Sequence, residues 1–132
     1  MFFNHSISIY NRYYDHVRDV DLYQKTELHN VLWSSQEGYI RRNSSVESDD
    51  KIVIYIPFNH EASRVYVNPV DWGNLVDKEN NYTINSGSIV VRDVDSPEIA
   101  TIKELESYFT ITSVDYHDFG GHDMSNWEVM AK

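Results

Sequence analysis

Alternating apolar and polar positions predict that this chain is built mainly from β-strands. In residues 6–10, Ile7 and Ile9 share one parity, and this period of two is typical of a strand. Residues 51–58 give the clearest strand, and because both of its faces are apolar, we expect it to be central in its sheet. Pro57 lacks a backbone N–H, which predicts that the strand ends there or lies at an edge.

Further extended segments follow the same pattern. Residues 22–33 predict a longer strand that could bend; a helix is the competing interpretation, but Thr26 and Val31 favour a pleated surface. The polar residues 59–63 predict a hairpin loop, with His60 in a solvated turn. The remaining predicted strands cover residues 64–67, 82–84, 88–94, 110–114 and 127–130.

Two segments carry helix signals. Asn68 and Pro69 are typical of an N-cap and a first helical position, because the missing N–H of proline costs nothing there. Ser96 and Pro97 give a stronger signal of the same kind and predict an amphipathic helix over residues 97–108, packed on the sheet. Its apolar positions are Ile99, Ile102 and Leu105.

These elements predict a mainly β (α+β) fold. We expect an antiparallel sheet or a partly closed small barrel of roughly six to eight strands, with one amphipathic helix. The chain has 132 residues without an internal repeat or linker, which indicates one β-rich domain over residues 1–132. Hydrophobic residues make up 41% of it, enough for one core, and the absence of cysteine excludes disulfides and thiolate metal sites.

Charge and hydropathy narrow the classes of partner. The formal net charge of −10 disfavours free nucleic acid, whose phosphates need Lys and Arg, and leaves a basic protein partner or plain solubility. Residues 1–6 have no basic region and no apolar run, so we expect no signal peptide. The longest apolar stretch, residues 52–58, is too short to cross a bilayer. We therefore expect a soluble intracellular protein without a membrane partner.

The polar segment 115–125 is the most suggestive candidate for chemistry. It contains His117 and His122 among several aspartates, and these residue types bind zinc or iron or act as acid–base pairs. The other interpretation is a Gly-containing turn between two strands, whose histidines cap backbone groups. A metal motif needs a defined spacing on a rigid element, such as two histidines one helical turn apart, and this segment lacks it. We therefore expect no metal, no cofactor and no catalytic residue.

Other residues are candidates for contacts with a partner. Arg41 and Arg42, an adjacent basic pair in the polar segment 34–50, are typical either of a contact for an acidic partner or of dispersed surface charge. Trp127 is either a core residue or an interface anchor. The candidate interface residues are Arg41, Arg42, His117, Asp118, Phe119, His122 and Trp127.

A set of short blocks, taken in order along nearly the whole chain, carries a family resemblance. The blocks are Ile9-Tyr10-Asn11, Tyr23-Gln24-Lys25-Thr26 with Val31 and Trp33, Ile52 to Phe58 with its ending Ile56-Pro57-Phe58, Tyr66-Val67-Asn68-Pro69, Tyr82-Thr83-Ile84, Gly87-Ser88-Ile89-Val90-Val91, Ile102-Lys103-Glu104-Leu105, Ile111-Thr112-Ser113-Val114-Asp115, Asp118-Phe119-Gly120 and Asn126-Trp127-Glu128-Val129. As a set they resemble an uncharacterised family of small proteins from phages and prophages of low-GC Gram-positive bacteria.

The resemblance implies a gene neighbourhood and a location in the virion, but no chemical activity. It brings no enzymatic activity and no catalytic residue, and it implies a gene near those for head and head–tail joining proteins. The leading hypothesis is a virion protein made in the host cytoplasm, a head-completion or head–tail connector (neck or stopper) component. It would contact portal, adaptor and tail proteins and form a homo-oligomeric ring. The alternatives are an acidic inhibitor of a host defence nuclease and a metal-dependent enzyme using His117 and His122.

Overall fold

The computed structural model describes most of the chain. Its described residues are 4–35, 51–76, 78–92, 94–97, 99, 104–105, 107–117 and 125–132. The elements are β1 (His5–Asp15), β2 (Val20–Ser35), β3 (Ile52–Pro57), β4 (Glu61–Ala62), β5 (Val65–Tyr66), α1 (Pro69–Asn74), β6 (Asn81–Tyr82), β7 (Ile89–Val91), β8 (Phe109–His117) and β9 (Asn126–Ala131).

The main sheet is antiparallel and its strand pairing forms a ring. Seven strands follow the order β1-β7-β8-β9-β3-β2-β4, and a further pairing of β1 with β2 closes the circuit. β5 and β6 form a separate parallel pair. The predicted mainly β fold with an antiparallel sheet is confirmed. No helix among the described residues is long and apolar enough to cross a membrane.

β3 is central, as its two apolar faces predict. It lies between β2 and β9, and of its residues only Tyr55 is more than slightly exposed. The interior of the ring is one apolar cluster that draws side chains from β1, β2, β3, β7, β8 and β9. Its fully buried members include Ile7, Ile54 and Val129, so the alternation along these strands sets which face points inwards.

β2 bends at a bulge, which lets it pair with two different strands. Ser6 pairs with His29 but His5 pairs with Val31, so Asn30 is an extra residue, and its φ is +64°. Asparagine tolerates this left-handed conformation better than most residues, and bulges bend the strand that carries them. Beyond the bulge β2 leaves β1 and pairs with β3.

The predicted loop over residues 59–63 contains a strand instead. β4 pairs with β2 along the same edge as β3: Tyr55 lies opposite Leu32 and Ala62 lies opposite Leu28. Between these two pairs the chain advances seven residues from Tyr55 to Ala62 but only four along β2, from Leu32 to Leu28. The three extra residues, 58–60, therefore form a loop between β3 and β4. Ala62 packs against the core, which favours pairing over a solvated hairpin loop.

One buried polar side chain, that of Asn11, fixes the segment between Thr83 and Ser88. Asn11 is fully buried, and its amide donates to the Thr83 carbonyl and to Ser88 Oγ, both at 2.9 Å. Its carbonyl oxygen accepts the Thr83 N–H. These bonds hold the chain so that Tyr82 and Ile84 enter the core cluster.

The two helix predictions have different outcomes. The helical turn at Asn68 is confirmed as α1, where the Asn68 side chain accepts the Asp71 N–H. Much of the predicted helix over residues 97–108 lies outside the described residues, and at described positions such as Ile99 and Leu105 the backbone is not α-helical. There the segment is held by tertiary contacts: Tyr10 donates to the Pro97 carbonyl, and Ile99 packs beside Tyr10.

Candidate functional site

The C-terminal candidate segment begins on a strand rather than in a loop. β8 extends through His117 and β9 begins at Asn126, so Asp115 and His117 have fixed backbone positions. The predicted loop over residues 115–125 is therefore wrong at its first three residues, which pair with β9. The other interface candidates of this segment, Asp118, Phe119 and His122, lie outside the described residues, as do Arg41 and Arg42.

Three titratable side chains meet on the outer face of β8 and β9. Asp115 and Glu128 are directly opposite each other in the register, and His117 lies two residues further along β8. His117 Nε2 is 2.9 Å from Glu128 Oε2, and the nearest ligand-type atoms of all three side chains lie within 4.8 Å of one another. We call Asp115, His117 and Glu128 the acidic–histidine cluster.

Glu128 is the member of this cluster that sequence reasoning missed. The available signal is the alternation of β9, in which Trp127, Val129 and Ala131 are buried and Glu128 points to the other face. Tyr55 of β3 lies across from Glu128, and its phenol donates to Glu128 Oε1 at 3.4 Å. Burial and, next, the charge of Glu128 raise the pKa of Tyr55, so the phenol remains a donor to this carboxylate.

The cluster can bind a cation or move a proton. Two carboxylates and one imidazole supply both acceptors and a donor. His117 and Glu128 retain 36% and 25% of their side-chain exposure, so solvent reaches both groups.

Trp127 is a core residue that anchors an aromatic cluster at one end of the ring. It is 8% exposed and contacts the rings of Phe58, Tyr66 and Tyr116. Tyr116, its partner across the β8–β9 pair, is 62% exposed. Tyr116 is therefore exposed to solvent, whereas Trp127 is not.

His60 is half-buried and hydrogen-bonded at both ring nitrogens, which corrects the prediction of a solvated turn. It lies in the three-residue loop between β3 and β4, where its Nδ1 bonds the Pro57 carbonyl at 2.6 Å. Since a carbonyl only accepts, Nδ1 carries the proton and Nε2 accepts from the Tyr82 hydroxyl. Burial lowers the pKa of His60, in agreement with a neutral imidazole, and raises that of Tyr82.

The hairpin formed by β1 and β2 extends beyond the ring. β7 pairs with β1 only from Ser8 to Tyr10, and β3 and β4 pair with β2 only from Leu28 onwards. The outer part of the hairpin, residues 11–24, is therefore a two-stranded ribbon within the described sheet. Sequence reasoning missed it, because the polar residues between positions 11 and 21 do not alternate.

The tip of this ribbon is held by hydrogen bonds and exposes three apolar side chains. The Asp15 carboxylate accepts hydrogen bonds from the N–H groups of Val17 and Arg18, and the main-chain carbonyl of Asp15 accepts one from the N–H of Asp19. Val17 is 95% exposed at the turn. Tyr14 and Val20 beside it are each more than two-fifths exposed. We call Tyr14, Val17 and Val20 the hairpin tip.

A groove separates the hairpin tip from the segment that follows α1. It has a volume of about 850 Å³ and is lined on one side by Tyr14 and Val17. Leu75, Val76 and Lys78 line the other side, and Val76 is fully exposed. Gln24 donates to the carbonyls of Lys78 and Asn81, which fixes the ribbon against this segment.

Comparison with known proteins identifies a family of unknown function. No curated protein and no solved structure matches the chain. A model described as a family of unknown function (DUF6751) matches residues 2–132. The match covers almost the whole chain, and the protein therefore belongs to the DUF6751 family.

Proposed function

We propose that this protein is a structural component of a bacteriophage particle, a head-completion or head–tail connector protein that acts through protein–protein interfaces. The observation that carries the proposal furthest is the hairpin tip, an apolar surface on a ribbon that extends from a rigid ring of strands. The sequence resemblance to phage proteins supplies the setting.

The hairpin tip has the properties of an interface anchor. Isolated exposed apolar residues are common, but Tyr14, Val17 and Val20 are exposed within seven residues of one hairpin, and Tyr14 and Val17 line a groove. The Asp15 bonds order the turn before any partner arrives, so little conformational entropy is lost on binding. Burial of such a tip in a partner's pocket is favourable by about 25 cal/mol per Å² of apolar surface.

The net charge and the projecting hairpin support an assembly of several copies with other virion proteins. A net charge of −10 favours partners with basic surfaces and steers their encounter. A projecting hairpin that docks on the next copy can make a head-to-tail contact, and such contacts generate a ring when the rotation between copies closes. The groove beside Val76 borders the tip itself, so the two form one continuous surface for contacts with a partner.

The test is a charge at the hairpin tip. Val17→Asp is expected to leave the fold unchanged, because Val17 is almost fully exposed, and to reduce incorporation into particles at least tenfold. Val65→Asp is the matched control, since Val65 is also exposed and lies in the separate β5–β6 pair. Incorporation is measured in particles purified after complementation of a phage that lacks the gene. Normal incorporation of the Val17→Asp protein would contradict the proposed contact.

A further inference from the structure

The acidic–histidine cluster carries an inference that goes beyond the interface role. We propose that Asp115, His117 and Glu128 bind one divalent transition-metal ion, with zinc as the preferred ion. The interface function and this site rest on different residues, so either can fail without the other.

The backbone arranges the three side chains before an ion binds. Asp115 and Glu128 are partners in the β8–β9 register, and His117 follows Asp115 by two residues, which places it on the same face of β8. Side chains on the same face of paired strands are held about 5 Å apart at their Cβ atoms when directly opposite. The rigid spacing that the sequence pattern lacked is therefore supplied by the pairing of two strands.

The distances suit a small ion. His117 Nε2 and Glu128 Oε2 are 2.9 Å apart, and the three nearest ligand atoms lie within 4.8 Å of one another. Zinc binds imidazole nitrogen and carboxylate oxygen at about 2.0–2.2 Å, which sets tetrahedral ligand atoms about 3.4 Å apart. Small side-chain rotations, without movement of the strands, bring the cluster to that geometry.

Charge favours a cation at this position. Like charges directly opposite each other destabilise a strand pair, and the ionised Asp115 and Glu128 are such a pair. With a neutral imidazole the cluster has a formal charge of −2, which a divalent ion neutralises. One nitrogen and two oxygen ligands suit zinc or a neighbouring transition metal better than magnesium or calcium, which prefer oxygen alone.

Tyr55 is a positioning residue for the site. Its phenol donates to Glu128 Oε1, while Oε2 of the same carboxylate faces His117. This bond holds the carboxylate plane in place and leaves one oxygen directed at the ion. Hydrogen-bond partners of this kind commonly contribute about 10- to 100-fold to metal affinity. Three protein ligands also leave a fourth position for water or for a group from a partner protein.

The experiment is calorimetric titration of zinc into the untagged full chain after treatment with a chelator. We expect one ion per chain, and a loss of affinity of at least tenfold in His117→Ala and in Glu128→Gln. The matched controls are His16→Ala and Glu61→Gln, which change exposed residues of the same types outside the cluster and are expected to retain binding. Magnesium titrated in place of zinc is expected to bind more weakly.

Two further measurements keep the result interpretable. Circular dichroism of each variant establishes that it is folded, and zinc is expected to raise the melting temperature of the wild type but not of His117→Ala, because only a folded site binds the ion. Tyr55→Phe is expected to weaken binding about tenfold while the stoichiometry stays at one. Absence of zinc binding by the wild type, or unchanged binding by His117→Ala, would overturn the proposal.

Discussion

At the scale of single residues, burial decides what each polar side chain does. Asn11 is the clearest case: it is fully buried, and the hydrogen bonds that the structure describes for its side chain are made with Thr83 and Ser88. His60 is the second case, since burial turns a histidine of a short loop into a neutral bridge between Pro57 and Tyr82. Sequence patterns register residue type but not burial, so neither role could be predicted.

Removal of the Asn11 amide is expected to destabilise the fold. Asn11→Ala leaves the buried backbone groups of Thr83 without their partner, and an unsatisfied buried group costs about 1–3 kcal/mol. With the added cavity, we expect the free energy of unfolding in urea to fall by about 2–4 kcal/mol. Asn74→Ala is the control: Asn74 is exposed, and the expected change is within about 0.5 kcal/mol. Equal effects of the two substitutions would contradict this account.

His60 predicts a dependence of stability on pH. Because burial lowers the pKa of His60 in the folded state, the unfolded chain binds the proton more readily than the folded protein. The contribution of His60 is fully present above its ordinary pKa of 6.5 and is lost as the pH falls below that value. Urea unfolding at pH 7 and at pH 5 is expected to show a smaller acid loss in His60→Asn than in the wild type. The same loss in both proteins would exclude His60 as its source.

At the scale of elements, alternation identifies strands well where one face is buried. It predicts β3 as a central strand and the first half of β1, while the capping residues Asn68 and Pro69 predict the helical turn. It fails where tertiary contacts decide: the bulge at Asn30 depends on β2 changing partners, and β4 depends on the edge of β2 being available. The outer ribbon also escapes prediction, because its strands stabilise each other without a buried face along their whole length.

The candidate site likewise contains residues that the sequence identifies and one that only the strand pairing reveals. His117 and Trp127 are identifiable from the sequence, and the structure places Trp127 in the core and His117 beside Asp115 and Glu128. Glu128 is eleven residues from His117 in the chain, so only the register of β8 and β9 brings the two together. The local sequence of the segment after His117 therefore could not reveal the cluster.

At the scale of the whole molecule, closure of the strands into a ring separates the apolar interior from the candidate functional surfaces. The interior is filled by apolar side chains, and the candidate surfaces lie outside it: the hairpin tip beyond one part of the ring and the acidic–histidine cluster on the outer face of β8 and β9. A rigid body that offers an apolar tip on a ribbon fits assembly with other proteins, which is the central claim of the proposed function.

Quantitative mass spectrometry of purified phage particles tests that claim most directly. If the proposed function holds, a phage or prophage encodes this chain, and its particles are expected to contain the protein at a constant copy number, in a fixed ratio to the portal protein. The ratio is expected to persist after nuclease treatment and gradient purification, because the contacts are between proteins. Absence of the chain from purified particles that contain the portal protein would contradict the account.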